Sequence, residues 1–373
     1  MRILVSPDCF TGTMTSAQAA QAIKSGWQSQ FPHDVIDLAP LSDGGPGFVS
    51  AIVSALGAQE IPAVVTGPLG EKVPAQFAAL GKQAWIESSL ACGLHLIPAT
   101  QLNPLHTTTF GVGELILAAM ANGATQITIG LGGSGTNDGG AGMLAALGAT
   151  ADVDLVSGGL ALKNISELNL AAALTAIDGL ELICASDVDN PLLGLRGATA
   201  TFAKQKGADD AAVMLLEGAL ENFAAAGGRR SDGKDPAVAI GSGAAGGLGY
   251  GLLLLGATRL AGIETIMNIV GLDQKISQAD LVITGEGCLD DQSLSGKVAV
   301  GVASHSAAVG KPCVVIAGEV RLGKRECSAA GIDSAYSMSE VFGKDLAMAE
   351  PESVLAQLTS RVAKTWGRRP TLK

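Results

Sequence analysis

Aromatic side chains are scarce in this 373-residue sequence: they make up 3% of it, and histidine occurs only four times. So few aromatic rings argue against a surface that stacks the bases of single-stranded nucleic acids. Basic residues are outnumbered by acidic ones, 24 to 35, and the formal net charge of −11 repels a phosphate backbone at long range. We therefore expect no nucleic-acid partner.

Cysteine motifs and long apolar runs are missing as well. The six cysteines form no C-x-x-C pair and the histidines have no metal-ligand spacing, which fits a reducing cytosol better than a zinc site or a disulfide framework. The most apolar stretch, residues 247–257, is too short to span a bilayer. The first residues lack the apolar centre of a signal peptide. These observations predict a cytoplasmic protein without a membrane partner.

Glycine, in contrast, is abundant, with 50 residues, and hydrophobic residues make up 47% of the chain. The length suffices for two domains, because a single core rarely exceeds about 250–300 residues. Short apolar strands alternate with helical patterns, beginning with a strand at 3–6 and a helix that Thr15 or Ser16 caps, with Gln18 three residues after Thr15 as the partner in a capping box. This alternation predicts an α/β fold, with a largely parallel, Rossmann-like sheet and helices on both faces.

Two segments interrupt the alternation and predict a smaller, inserted domain of mixed α+β structure. In residues 61–106 and 150–265, short strands are separated by turn residues. The predicted Rossmann-like domain is therefore discontinuous and consists of residues 1–60, 107–149 and 266–373. We expect the active site in the cleft between the two domains.

The most informative segment follows the strand that ends at Ile129. Residues 130–140 read Gly-Leu-Gly-Gly-Ser-Gly-Thr-Asn-Asp-Gly-Gly and lead into an apolar helix. Glycines let main-chain N–H groups approach a bound anion, and the helix points its positive end to the same place. Similar turns follow the strands at 281–284 and 314–317, and another spans 241–247. This repetition predicts a pocket for a phosphorylated ligand.

Charged residues accompany these turns at the carboxyl ends of the predicted strands, where ligands of open parallel sheets bind. The carboxylates placed there are Asp8, Asp43, Asp138, Glu286 and Asp290. Such groups suit Mg²⁺ held together with phosphate oxygens, although Asp and Gly also form ordinary turns. Lys206 and Lys297 each neighbour a glycine, as point charges near a phosphate would, and exposed surface lysines are the alternative.

A dinucleotide-binding fingerprint is the competing interpretation of the same segment. Residues 130–135 match G-x-G-x-x-G after a strand, and Asp152 and Asp154 follow about twenty residues later. That pattern favours a nicotinamide-dependent oxidoreductase. Residues 136–138 count against it, because they separate the match from its helix and put a carboxylate where the pyrophosphate would lie. The sequence contains no G-x-x-x-x-G-K-[ST] motif, which excludes a P-loop kinase.

Motifs along nearly the whole chain resemble the bacterial glycerate kinase family, which phosphorylates D-glycerate at its 2-hydroxyl. They are Ser6-Pro7-Asp8-Cys9-Phe10, Ser42-Asp43-Gly44-Gly45, Asn103-Pro104-Leu105 with Thr107-Thr108, Gly111 to Ile116, Gly132 to Met143, Asp187 to Leu192, Gln205-Lys206-Gly207-Ala208, Gly243 to Gly249, and Asp280 to Gly287 with Asp290 to Ser293. The resemblance implies a two-domain α/β enzyme that uses ATP and Mg²⁺ on a small hydroxy acid.

The sequence departs from the family pattern at five positions. Thr11 replaces a lysine, Cys288 an arginine and Pro46 a glutamate, while Ala203-Lys204 stands where the family has Gly-Pro. The departures leave two alternatives open: a family member with another sugar-acid substrate, and a protein with weakened catalysis that acts by binding. The sequence does not give the oligomeric state, and a homo-oligomer is one option.

Our hypothesis assigns a role to each candidate residue. The ATP-binding residues are Gly132, Gly133, Ser134, Asn137, Gly246 and Gly247. The catalytic residues are Asp8, Asp187, Lys206 and Lys297, of which Asp187 or Asp8 accepts the proton of the substrate hydroxyl and the lysines neutralise the γ-phosphoryl group. The substrate-binding residues are Asp43, Asp138, Thr107, Thr108 and Asn190. The Mg²⁺ ligands are Glu286 and Asp290, directly or through water.

Overall fold

Two main β-sheets organise the protein, and each belongs to a separate unit of the chain. A computed structural model describes residues 1–10, 12–42, 44–230, 232–295 and 297–367. Unit 1 comprises the described parts of Met1–Asp43, Ser50–Gly57 and Ile263–Lys373, and unit 2 comprises Gly44–Val49 and Ala58–Gly262.

The strands of the described chain are β1 (Arg2–Val5), β2 (Val35–Leu38), β3 (Gln59–Thr66), β4 (Lys72–Leu80), β5 (Gln83–Glu87), β6 (Gln126–Gly130), β7 (Thr150–Ala151), β8 (Leu168–Asn169), β9 (Glu181–Ala185), β10 (Thr258–Leu260), β11 (Leu281–Thr284), β12 (Cys288–Leu289), β13 (Cys313–Ala317), β14 (Glu319–Val320) and β15 (Ser334–Ser337). The α-helices are α1 (Ser16–Gln28), α2 (Phe48–Leu56), α3 (Ser89–Cys92), α4 (Phe110–Ala121), α5 (Ala141–Ala146), α6 (Ala171–Ala176), α7 (Ala198–Phe202), α8 (Asp210–Gly227), α9 (Ala244–Leu254), α10 (Gly262–Ile269), α11 (Leu272–Gln278), α12 (Val298–Ala308), α13 (Lys324–Ala329), α14 (Met338–Phe342), α15 (Lys344–Ala349) and α16 (Pro351–Trp366). None of the described helices is both long enough and apolar enough to cross a membrane.

The sheet of unit 1 has five parallel strands in the order β15-β13-β11-β1-β2. Its central strands are buried apolar runs, such as residues 3–5 and 281–283, as parallel sheets require. Parallel pairing brings the carboxyl ends of β1 and β11 to the same edge. There the main-chain N–H of Asp8 donates to the carbonyl of Gly285 (2.8 Å), so that Asp8 and Glu286 lie on hydrogen-bonded loops.

The sheet of unit 2 has six strands in the order β10-β9-β6-β5-β4-β3. β10, β9, β6 and β5 are parallel, whereas β4 and β3 continue the sheet as an antiparallel meander. The register pairs Gly130 with both Glu87 and Ala185. The loops that follow β5, β6 and β9 therefore leave the sheet at one edge. The predicted α/β class with largely parallel sheets is confirmed.

The division of the chain differs from the predicted one. We grouped residues 107–149 with the sheet that contains β1, but β6 pairs with β5 and β9, and the whole segment lies in unit 2. Unit 2, predicted as the smaller part, is consequently the larger. The reason is physical: an apolar strand followed by a glycine turn and a helix has the same local pattern in either sheet, because only long-range pairing distinguishes the two.

Candidate active site

The glycine turn after β6 presents unpaired main-chain donors. Neighbouring groups in the turn are engaged, since Gly135 donates to the Cys92 carbonyl (2.8 Å) and the Gly133 carbonyl accepts from Leu94 (2.8 Å). Within the described part of the chain, by contrast, the N–H groups of Gly132, Gly133 and Ser134 donate no hydrogen bond to protein. Gly133 is exposed and has φ +68°, a conformation that favours glycine. Successive free donors of this kind suit a bound anion.

Lys206 lies behind this turn. Its side chain is 2% exposed, which excludes the alternative of a surface lysine. The ammonium donates to Ser134 Oγ (3.0 Å) and to the Thr136 carbonyl (2.7 Å). Burial lowers the pKa of Lys206 to about 8, although the nearby Cys92 and Asp138 counteract the shift. Both hydrogen bonds go to the turn. Lys206 therefore links Ser134 to Thr136 and places a buried positive charge next to the turn.

Asp138 is enclosed by its own segment and by Thr109. Its carboxylate accepts hydrogen bonds from the N–H and hydroxyl of Thr109 (2.8 Å each), from Gly140 N–H (3.1 Å) and from Gly142 N–H (3.2 Å). Burial raises the pKa of Asp138, while these donors favour its charged form. Two of the donors lie at the start of α5, where a carboxylate stabilises the helix. With no exposed surface, Asp138 is better suited to a structural role than to the predicted contact with substrate.

Thr107 supports the turn and Thr108 the start of α4, and neither lines an open surface. Both are buried, Thr107 donates its hydroxyl proton to the Gly135 carbonyl (3.0 Å), and Thr108 Oγ1 accepts from the N–H of Phe110 (3.2 Å). Their predicted contact with substrate has no support in these bonds. The side chain of Asn137 differs, because Nδ2 donates to Thr199 Oγ1 (3.1 Å) but Oδ1 is buried without a hydrogen-bond partner among the described residues.

Gly246 and Gly247 pack against the same turn. Together with Ala245 they adopt left-handed backbone angles, with φ of 52° to 89°. A Cβ on Gly246 would lie 1.9 Å from the Thr136 carbonyl oxygen, and one on Gly247 would lie 2.8 Å from Gly139 Cα. Close backbone packing explains both glycines without a ligand. Their predicted contact with ATP phosphates stays a prediction.

The loop after β9 contains Asp187 and Asn190. Asp187 is half-buried, and the residue before it is anchored to β10 through a hydrogen bond from Ser186 N–H to the Leu260 carbonyl (3.1 Å). Asn190 Nδ2 donates to the Arg196 carbonyl (2.6 Å) and to Thr201 Oγ1 (3.1 Å). These bonds give Asn190 a structural role in its loop, and the Asp187 side chain in the same loop is partly exposed.

The remaining predicted residues lie in unit 1. Asp8 and Glu286 are 8% and 5% exposed at the carboxyl edge of the sheet, and Asp8 Oδ1 accepts from the N–H of Cys9 (2.7 Å). Asp290 is half-buried and accepts from Gln292 N–H (2.9 Å). Lys297 immediately precedes α12. Asp43 lies outside the described residues, as does Thr11.

Three of the departures from the family pattern are placed by the structure. Pro46 abuts the glycine turn, since a Cβ on Gly133 would lie 3.0 Å from its ring. The Cys288 thiol lies 3.7 Å from Asp290 Oδ2, and burial raises its pKa, which disfavours a thiolate. Lys204 forms an exposed ion pair with Asp210 (2.7 Å) and therefore does not replace a missing active-site cation.

Glu87 was missed by the sequence reasoning. Its buried carboxylate accepts from Gly47 N–H (3.0 Å), Val49 N–H (3.4 Å) and the Ser89 hydroxyl (2.6 Å). It thus caps the start of α2, and burial raises its pKa. The signal in the sequence was a glutamate at the end of the apolar run of β5, because a carboxylate in such a run needs buried donors.

Within the described ranges, no three His, Cys, Asp or Glu side chains are grouped to hold a metal ion. This arrangement fits Mg²⁺ bound together with a nucleotide, where one or two protein carboxylates coordinate the ion and phosphate and water oxygens complete the coordination. Glu286 and Asp290 supply carboxylates of that kind.

Comparison with known proteins decides the family. The model of the glycerate kinase family matches residues 3–367. The chain belongs to that family. It is 38% identical over 98% of its length to a glycerate kinase of Halalkalibacterium halodurans, of which 99% is covered, and 40% identical to the glycerate 2-kinase of Escherichia coli K12, with 92% of each chain covered. The crystal structure of a Salmonella typhimurium LT2 protein assigned as glycerate kinase 2 superposes with a TM-score of 0.80 at 35% identity, covering 98% of both chains.

Family membership also settles two earlier interpretations. The resemblance seen in the motifs is confirmed over nearly the whole chain. The nicotinamide-dependent oxidoreductase loses its support, because the chain belongs to a kinase family and residues 136–140 separate its G-x-G-x-x-G match from α5.

Proposed function

We propose that the protein is a kinase that transfers the γ-phosphoryl group of ATP to the 2-hydroxyl of D-glycerate and forms 2-phosphoglycerate. The observation that carries the proposal is the family match over residues 3–367. The glycine turn after β6 supports it, because the free N–H groups of Gly132, Gly133 and Ser134 suit the phosphates of ATP.

Asp187 and Lys206, which both lie in unit 2, have the proposed roles in proton transfer and charge neutralisation. Asp187 orients the hydroxyl of the substrate and takes up its proton as the oxygen attacks the γ-phosphorus and ADP leaves. Lys206 contributes positive charge through the turn that it cross-links. Asp8 and Lys297 are the candidates from unit 1, and the predicted cleft site stays a prediction.

When bound, Mg²⁺ would neutralise charge on the phosphate oxygens. Glu286 and Asp290 are the residues we propose to hold it, directly or through water. A cytoplasmic location and a homo-oligomeric state also remain proposals. The small-molecule substrate is the partner that the family assignment supports.

The experiment is an ADP-release assay coupled to NADH oxidation, with Mg-ATP and a panel of glycerate, erythronate and threonate. Glycerate should give the highest kcat/KM, and ³¹P NMR of the product should place the phosphate on C2. Reactions without acid measure idle ATP hydrolysis, and chelation by EDTA tests the need for a divalent cation. No ADP release with any acid, despite tight ATP binding, would contradict the proposal.

A second candidate is altered substrate choice or weakened catalysis, which Pro46 beside Gly133 and Cys288 beside Asp290 favour. The variants Cys288→Arg and Thr11→Lys separate the two. A large gain in glycerate phosphorylation indicates weakened catalysis, whereas loss of activity on another acid of the panel indicates altered specificity. Unchanged activity in both variants would contradict this second candidate.

A further inference from the structure

A single arginine holds the loop that contains Asp187 at two points. Arg259 lies in β10 and pairs in register with Cys184 of β9, one strand away from the start of the loop. Its Nη2 donates to the Ser186 carbonyl (2.9 Å) and to Asp189 Oδ1 (2.7 Å). Asp187 lies between these two acceptors in the sequence, so that the guanidinium spans it.

The protein makes room for this guanidinium. A Cβ on Gly241 would lie 3.1 Å from Arg259 Nε and 3.2 Å from the Val188 carbonyl, and Gly241 has φ +81°. The Arg259 side chain is only 24% exposed, although it is charged. Nε is buried and, among the described residues, has no acceptor. Burial of a charged side chain with one N–H group left without an acceptor is unfavourable. We therefore expect Arg259 to do more than carry a surface charge.

The rest of the loop is anchored in the same sense. Ser186 N–H donates to the Leu260 carbonyl (3.1 Å), and Val188 N–H donates to Ser186 Oγ (3.2 Å). Hydrogen bonds from main-chain N–H groups therefore hold the residues on both sides of Asp187. The Asp187 side chain itself is half-buried. Among the described residues, Asp189, which is 70% exposed, forms its one ion pair with Arg259.

We propose that Arg259 is a positioning residue for Asp187: it fixes the loop at Ser186 and Asp189 so that the intervening carboxylate meets the substrate hydroxyl in a reactive geometry. This inference rests on the proposed function. Lysine is a poor replacement, because both bonds come from Nη2, which the rigid, planar guanidinium holds in place, whereas an ammonium sits on a flexible stem. A displacement of about 1 Å of a reacting group can cost roughly 100-fold in rate.

The test is a double-mutant cycle of Arg259→Ala and Asp187→Asn, read as kcat and KM in the ADP-release assay. R259A should lower kcat about 100-fold and leave both KM values within about threefold, because the group that moves is needed for the reaction step. R259K should fall close to R259A, and D189N should lose only about threefold, since the Ser186 bond remains and exposed ion pairs are weak. Arg325→Ala, an exposed arginine in α13, is the matched control and should keep wild-type activity.

The cycle separates positioning from a general structural role. If Arg259 acts through Asp187, then R259A should lower the residual activity of D187N less than about threefold. Thermal unfolding of each variant checks that the fold is kept, and if R259A does not fold, the cycle is run with R259K. Full, multiplicative losses in the double variant would overturn the proposal.

The remaining outcomes distinguish this inference from the function on which it rests. An inactive D187N together with a fully active R259K overturns only the positioning role. A D187N enzyme with normal turnover overturns the role of Asp187 and the positioning role with it. Neither result bears on the proposed phosphorylation of glycerate, which is tested by the activity of the wild-type enzyme in the ADP-release assay.

Discussion

Lys206→Met removes a buried charge from beneath the proposed phosphate-binding turn. Methionine keeps most of the side-chain volume but cannot donate to Ser134 Oγ or to the Thr136 carbonyl. We expect weaker ATP binding. For a phosphate oxygen about 6 Å from the ammonium and an effective dielectric constant of about 20, the charge is worth roughly 3 kcal/mol, or up to about 100-fold in Kd.

The effect on stability should be much smaller, because two contributions oppose each other. The shift in the pKa of Lys206 from 10.5 to about 8 corresponds to a cost of about 3 kcal/mol for burying the charged amine. Two hydrogen bonds from a charged donor contribute roughly 1.5–3 kcal/mol each. The Lys206→Met variant should therefore fold and lose between about 0 and 3 kcal/mol in free energy of unfolding.

The pH dependence makes this prediction specific. The folded-state pKa of Lys206 lies below its unfolded value, so the unfolded chain binds more protons between about pH 8 and 10.5, and the free energy of unfolding of the wild type should rise relative to K206M in that window. ATP affinity should change in the opposite direction and fall as the pH rises through about 8. Cys92, with its pKa raised to about 12 by burial, keeps its proton in this range.

Isothermal titration of ATP from pH 7 to 9.5 measures the affinity, and denaturant unfolding at the same pH values measures the stability. Lys206→Arg is the matched control that keeps the charge over the whole range. A wild-type Kd that stays constant across pH 8, or a K206M variant that binds ATP as tightly as the wild type at pH 7, would refute the reasoning.

Three further predictions follow from single contacts. Asp187→Asn should lower kcat by about 10²–10⁴-fold without changing the melting temperature, and normal turnover in a steady-state assay would contradict its role as the base. Partial burial lowers the pKa of His305, but its contact with Asp273 (2.6 Å) and a second carboxylate raise it more, so that the pKa lies above 6.5. The stabilisation by His305 should be complete below pH 6.5 and disappear as the pH rises through the folded-state value, and an unfolding free-energy difference from His305→Gln that is independent of pH would argue against it. Gly246→Ala should lower the free energy of unfolding by about 1–3 kcal/mol in chemical denaturation, because its Cβ would overlap the Thr136 carbonyl, and a wild-type midpoint would show that the backbone can yield.

Local sequence patterns predicted the structure correctly where residues close together in the chain determine it. The Thr15 cap with Gln18 appears as the predicted capping box at the start of α1. The glycine turn after β6 is also present, with free N–H groups, because glycine spacing and the preceding strand determine its shape. Family membership was readable for the same reason, since its motifs are short and lie in order.

Contacts with distant segments could not be predicted from local patterns. Asp138, predicted to contact the substrate, accepts hydrogen bonds from four donors of its own segment and of Thr109. Gly246, predicted to contact ATP phosphates, lies against the Thr136 carbonyl. Both predicted ligand contacts stay predictions. Glu87 gave almost no signal, because its partners at the start of α2 are some forty residues away in the chain.

The amino-acid sequence therefore specified the fold class, the kinase family and the glycine turn after β6, because backbone freedom, capping and strand propensity act over a few residues. Folding assigned β6 to the sheet of unit 2, buried Lys206 behind the turn and set Arg259 against the loop of Asp187. These outcomes depend on strand register, burial and desolvation, which arise only when segments far apart in the chain come together.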